Sequence, residues 1–171
     1  GAVVWPAALA FCELVDSEFP IAESSFWNGL RVLELGAGCG AAGLAVAVRN
    51  AEVTLTDRES VLGALEHNVQ LNAPVSAKVR LLRWEDASSD DFFLDGVTEK
   101  GYDVVLGTDL VDVDPDRTSG SDVFAALRRV FLLSLDTLPQ ALFITVFEER
   151  GPLRLESLGD LFAPLLTKGV L

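Results

Sequence analysis

Strand-length apolar runs alternate with helix-length amphipathic ones along most of this chain, and that order restricts the fold more than any other feature of it. "RVLELG", "AEVTLTD", "KVRLLRW", "YDVVLGTDL" and "QALFITVFEE" each have strand character. Between or before them lie "AALAFCELVDSEF", "GAAGLAVAVRN", "SVLGALEHNVQLN" and "SDVFAALRRVFLLSLDTL", with apolar residues three and four apart. Strands separated by helices build a parallel sheet with helices on its faces, so an α/β class is expected. Val104, Val105 and Leu106 form the continuous run of a strand covered on both sides. Ser121 and Asp122 are expected to cap the helix that follows them, and Asn50 to end the helix before it. "EDASSDDFFLDGVTEKG" is expected to be a loop or a short helical turn, and "RLESLGDLFAPLLTKG" a last helix interrupted at Pro164.

The chain has 171 residues, one domain's worth, and shows no repeat or linker that would divide it. No apolar run approaches the roughly 20 residues that span a bilayer, so a soluble domain with no membrane partner is expected. Thirteen Lys and Arg against 26 Asp and Glu give a net charge of −13, which disfavours binding to phosphate backbones. Nucleic acid is therefore not expected as a partner, whereas a basic protein surface suits the charge. Two cysteines, Cys12 and Cys39, make no disulfide framework, and one histidine, His67, makes no histidine metal site. A reducing setting follows, cytoplasmic or also nuclear.

Four glycines follow the first strand in "ELGAGCGAAG". Strand, glycine turn and helix N-terminus in that order make a site for an anion or polar ligand, because free N–H groups converge there. In an open parallel sheet such a site lies at the carboxyl ends of the strands, where the strand order reverses. Asp57 ends the second strand about 20 residues on, where a carboxylate can accept hydrogen bonds from both ribose hydroxyls of an adenosine. An adenosine cofactor is expected. Gly36, Gly38 and Ala41 also satisfy the dinucleotide fingerprint, which keeps an NAD-dependent oxidoreductase open. Glu34, just before the turn, favours instead a cofactor that carries positive charge.

"VLELGAGCGAAGLAVA", "VTLTDRE", "HNVQLN", "LLRWED" and "YDVVLGTDLV", in this order and spacing, resemble the motifs of class I S-adenosylmethionine-dependent methyltransferases. More narrowly the chain is similar to the family-16 lysine methyltransferases, sometimes labelled nicotinamide N-methyltransferase-like. The opening "GAVVWPAALAF" fits that family's lead-in, and the likeness runs from Gly1 to about Glu149. The resemblance implies a Rossmann-like fold, S-adenosylmethionine as cofactor, and a monomer that methylates an accessible lysine of a protein substrate. It also implies that Gly36, Ala37 and Gly38 pass the methionine moiety, with Glu34 acting on its ammonium. Asp57 is implied to hold the ribose, Arg58 to lie along the adenosine, Trp84 to border the adenine and Trp5 to help close the pocket. Asp109, with Thr108 before it, is implied to stand beside the sulfonium and the incoming amine. Asn68 and Asn72 match a paired-asparagine motif and are read as structural.

Two departures from that family pattern stand out. In "TDLVD", Asp112 occupies the position where the family has Tyr. The chain also ends at "LTKGVL", before the hairpin that completes a class I sheet, so a single domain over 1–171 that is incomplete at its C-terminus is expected. Asp112, Asp114 and Asp116 do not form a calcium loop, because Pro115 interrupts them and the EF-hand glycine and glutamate are missing. A cofactor-binding protein with little catalysis and a small-molecule methyltransferase remain as alternatives.

Overall fold

The computed structural model describes residues 3–17, 24–88, 91, 101–110 and 120–148. Its centre is a sheet of five parallel strands, β1 (Arg31–Leu35), β2 (Glu52–Asp57), β3 (Ala77–Leu81), β4 (Val104–Thr108) and β5 (Leu142–Val146), in the order β3-β2-β1-β4-β5. The order reverses between β1 and β4, where Leu35 is the partner of Gly107. A crevice outside the carboxyl ends of these two strands is the ligand position such a sheet provides.

Alternation along the strands sends side chains to two separate cores. Val32 of β1, Val53 and Leu55 of β2, and Val104 and Leu106 of β4 pack with Phe11, Val15, Ala42, Leu44, Val46 and Leu65. These come from helices α1 (Pro6–Asp16), α3 (Ala41–Ala47) and α4 (Glu59–Leu71). Leu33 and Leu35 face the other way, into a core with Leu82, Tyr102, Val105 and Val130, the last from helix α5 (Gly120–Thr137).

The expected strands are all present, and so are the four expected helices that precede β1 or lie between strands. The differences are local. Ser121 and Asp122 lie inside the first turn of α5 rather than ahead of it. α3 closes at Ala47, and Asn50, at φ +66°, makes the left-handed turn that leads into β2. A one-turn helix α2 (Ser24–Trp27), too short for periodicity to reveal, delivers Trp27, which is fully buried. Its ring meets Phe11 and Phe26 edge-to-face at 6.2 and 4.9 Å. The expected last helix at Pro164 and most of the polar stretch after Glu85 lie outside the described residues. Among the described residues no helix is long and apolar enough to cross a membrane.

Candidate functional site

β1 runs straight into three left-handed glycines, Gly36 (φ +61°), Gly38 (φ +58°) and Gly40 (φ +83°), and Gly40 caps α3. A side chain would be strained at each, which is why the sequence holds glycine there. The space around them differs. A Cβ on Gly38 would meet nothing within 4 Å, so this turn presents bare backbone to the crevice. A Cβ on Gly36 would lie 2.8 Å from Leu110 Cδ2 and 3.1 Å from Trp84 Cζ2, so that side of the turn is already taken by the protein. Gly40 faces inward, toward Leu65 and Leu55.

Polar side chains pin this turn from three directions. Asp57, half-buried at the end of β2, accepts the Gly38 amide on Oδ2 at 2.8 Å and the Arg58 amide on Oδ1 at 2.7 Å. Asn68 of α4 donates through Nδ2 to the Cys39 carbonyl at 2.8 Å, and Asn72 donates to the Asn68 carbonyl at 2.8 Å. The paired asparagines are thus structural, with the first holding the glycine turn itself. Ala37, buried, donates its amide to the Thr56 carbonyl at 2.9 Å, and Thr56 Oγ1 donates to the Glu34 carbonyl at 2.6 Å.

Glu34 sits under α3. Its side chain is on the same face of β1 as Val32, is 1% exposed, and accepts the Gly43 amide on Oε2 at 2.9 Å. Burial, with the nearby Asp57 charge adding to it, pushes its carboxyl up to about 8 against the pull of the Gly43 hydrogen bond. Glu34 is therefore mostly uncharged at neutral pH, and it reaches α3 rather than open crevice. Alternation along β1 would have placed it on the Val32 face, and a helix of small residues gave room for it.

At the other wall, β4 ends in Thr108, half-buried, and Asp109, which takes φ +52°. A left-handed conformation at a non-glycine residue is uncommon and costs of order 1 kcal/mol or more. The Asp109 amide donates to the Val146 carbonyl at 2.7 Å, tying the turn to the end of β5. The chain then folds Leu110 back onto the strand ends. Asp112 lies outside the described residues, as do Asp114 and Asp116. Among the described residues no cluster of three or more His, Cys, Asp or Glu could hold a metal ion.

Trp84 lies in a turn after β3, half-buried against the α5-side core, and Arg129 of α5 donates to the Trp84 and Glu85 carbonyls at 3.5 and 3.2 Å. Arg58 is the exposed N-cap residue of α4. Trp5, 47% exposed, stands at the start of α1, and its carbonyl accepts the amides of Ala8 and Leu9. Its neighbour Val4 shares a shallow groove of about 350 Å³ with Cys39, Ala41 and Ala45, which brings the start of α1 beside the outer side of the glycine turn. His67 is exposed on α4. The structure therefore gathers Gly36, Gly38, Asp57, Trp84, Thr108 and Asp109 around the strand ends, with Glu34 beneath. Leu110 and Gly107, which join them, were not among the expected site residues, because their part depends on how β1 and β4 register.

Residues 1–130 match a family described as lysine methyltransferase. The zebrafish (Danio rerio) protein N-lysine methyltransferase METTL21A is 38% identical over 115 residues, which are 65% of this chain and 48% of that protein. The Xenopus tropicalis protein of the same name is 34% identical over 141 residues, 78% of this chain and 60% of its own. The chain spans about half the length of the curated relatives it matches. In three dimensions it resembles the magnesium protoporphyrin IX methyltransferase of Synechocystis PCC 6803 with bound SAH, at a TM-score of 0.56 and 18% identity, over 91% of this chain and 63% of that one. The fold is thus the Rossmann-like class I methyltransferase fold. The chain belongs to the lysine methyltransferase family.

Proposed function

Starting from that membership, we propose that this chain binds S-adenosylmethionine at the carboxyl ends of β1, β2 and β4 and transfers its methyl group to a lysine of a protein substrate. One observation carries the choice of site: Asp57 at the end of β2 and the open Gly38 backbone after β1 stand together, joined by a 2.8 Å hydrogen bond, next to the β1–β4 boundary where strand order reverses. The residues fit an adenosine cofactor. Asp57 has a half-buried carboxylate to accept ribose hydroxyls, Gly38 leaves room for close approach, and Trp84 supplies an apolar wall. Relatives named as protein N-lysine methyltransferases support the lysine acceptor, and a net charge of −13 suits a basic substrate surface. Against this background the dinucleotide fingerprint carries less weight than the family match.

When bound, the cofactor supplies the activated methyl group, and the protein's part is alignment. Asp57 holds the adenosine side of the crevice, with Arg58 and Trp84 along it. Gly36, Ala37 and Gly38 carry the backbone past the ligand. Glu34 supports this turn from below through the Gly43 amide. Asp109, whose backbone amide donates to the Val146 carbonyl, would accept a hydrogen bond from the substrate amine and fix its nitrogen. A lysine ammonium has no lone pair, so its proton must leave to water or to this carboxylate before attack. Trp5 lies at the edge of the site, beyond the outer side of the turn. We place the protein in a reducing compartment, cytoplasmic or nuclear, consistent with the free thiols of Cys12 and Cys39, and acting as a monomer.

A second proposal, cofactor binding with weak transfer, is favoured by Asp112 at the family's Tyr position. Incubating the protein with radiolabelled S-adenosylmethionine and a cell extract separates the two. Labelled protein bands that vanish with Asp109→Ala support lysine transfer, whereas tight cofactor binding with no labelled band supports the weak-transfer alternative.

A further inference from the structure

Trp84 comes to the strand ends in a short turn after β3, and its ring lies over the glycine turn, with Cζ2 3.1 Å from the place a Cβ on Gly36 would take. The two ends of that short turn are anchored in the protein. Leu82 and Ala87 are buried, and the Leu82 amide donates to the Asp57 carbonyl at 3.0 Å. The tip is held from farther away. One nitrogen, Nη1 of Arg129, donates to the carbonyls of both Trp84 and Glu85, at 3.5 and 3.2 Å. Arg129 is exposed, but buried Leu127 and Val130 on either side of it fix its part of α5. In the sheet β3 and β4 are separated by β2 and β1, so a bond from the turn after β3 to the helix after β4 bridges the width of both strands. It joins the wall that carries Trp84 to the helix into which the Asp109 wall leads.

We propose that Arg129 is a positioning residue for the adenosine end of the methyl donor: it fixes the turn of Trp84 and Glu85, and with it the indole that forms the apolar wall. This rests on the methyl-donor function proposed above and goes beyond it, because it places a determinant of cofactor affinity on α5, in a side chain that touches no ligand. A guanidinium suits the task. It stays charged at any working pH, and a charged donor makes a stronger hydrogen bond to a carbonyl than a neutral one. A turn whose tip lost that donor would keep its buried ends and let the ring tilt, so the loss would appear in ligand affinity before it appeared in the fold.

A double-mutant cycle tests this, with S-adenosylhomocysteine titrated calorimetrically into wild type, Arg129→Met, Trp84→Ala and the double variant. Arg129→Met keeps the apolar stem and removes the donor. It is expected to weaken binding about fivefold in wild type, the scale of a charge-assisted hydrogen bond, and less than about twofold in Trp84→Ala, where no indole remains to be positioned. Equal weakening in both backgrounds would mean that Arg129 acts on the fold at large, and unchanged binding would mean that the tip needs no donor; either overturns the proposal. Replacing the three tryptophans by 5-fluorotryptophan gives a second reading that needs no ligand. The fluorine resonance of Trp84, assigned by its loss in Trp84→Ala, should shift or broaden in Arg129→Met while the other two stay in place. An unmoved Trp84 resonance would overturn the proposal even if affinity fell. If that resonance moves but wild type binds no S-adenosylhomocysteine, the methyl-donor function fails and the positioning role with it, while the bond from Arg129 remains a feature of the fold.

Discussion

Around the end of β1 the crevice is held by hydrogen bonds, and around the end of β4 it is held mainly by shape. On the first side Asp57 grips Gly38, Asn68 grips Cys39, and Glu34 grips Gly43, each at 2.8–2.9 Å. On the second, Leu110 fills the space that Gly36 and Gly107 leave, and one backbone hydrogen bond ties Asp109 to Val146. Hydrogen bonds fix a backbone in one place and resist displacement, since a buried group that loses its partner costs its full desolvation. Packing on glycines fixes a contour, which can change with a single methyl group. In the proposed function the first side holds the constant adenosine, and the second faces the methyl group and the acceptor.

Substitutions can break this contrast. The largest effect on stability is expected at Gly43, where a Cβ would overlap Glu34 Oε2 and Leu55 Cδ2 and lie 3.2 Å from Val53 Cγ1. Gly43→Ala should cost about 2–3 kcal/mol of unfolding free energy in urea, although alanine normally favours a helix. An unchanged midpoint would show that α3 can shift and that the hydrogen-bonded side is not rigid.

Glu34 sharpens the comparison through pH. Its carboxyl is raised in the fold to about 8, so the native state keeps a proton that the unfolded chain has lost. The stability linked to it is complete below the ordinary glutamate range near pH 4.5 and disappears as pH rises through about 8. Melting temperature should therefore fall between pH 6 and pH 9 in wild type and fall less in Glu34→Gln, which should be the more stable of the two at the upper end. Parallel curves for the two proteins would place the Glu34 carboxyl in an ordinary, solvated environment. The smallest effect is expected at Asn68. Removing its bond to the Cys39 carbonyl with Asn68→Ala should cost about 1 kcal/mol, and a greater weakening of S-adenosylhomocysteine than of the fold would show that the turn, not the helix, depends on it.

The hydrogen-bonded side was largely legible in the sequence. Strand-length apolar runs mark β1, β2 and β4, glycines after a strand imply a turn, and Asp57 falls at the end of β2 by counting. The packed side was not. Leu110 looks like any apolar residue after a strand, and its role emerges only from the pairing of Leu35 with Gly107 and the left-handed Asp109. Glu34 was legible as a carboxylate before the turn but not as a buried one. Its surroundings come from Gly43 and from Leu55 on the neighbouring strand, which no local pattern brings together. Trp27 escaped because a single helical turn has no period to read.

The most direct test of the central claim, that the crevice at the ends of β1, β2 and β4 holds the methyl donor, is calorimetric titration of S-adenosylhomocysteine into wild type and Asp57→Ala. Micromolar binding by wild type that weakens at least about 30-fold in the variant, as expected for loss of a charge-assisted contact to the ribose, is the predicted result. Binding by wild type that Asp57→Ala leaves unchanged, or no binding by wild type at all, would contradict it.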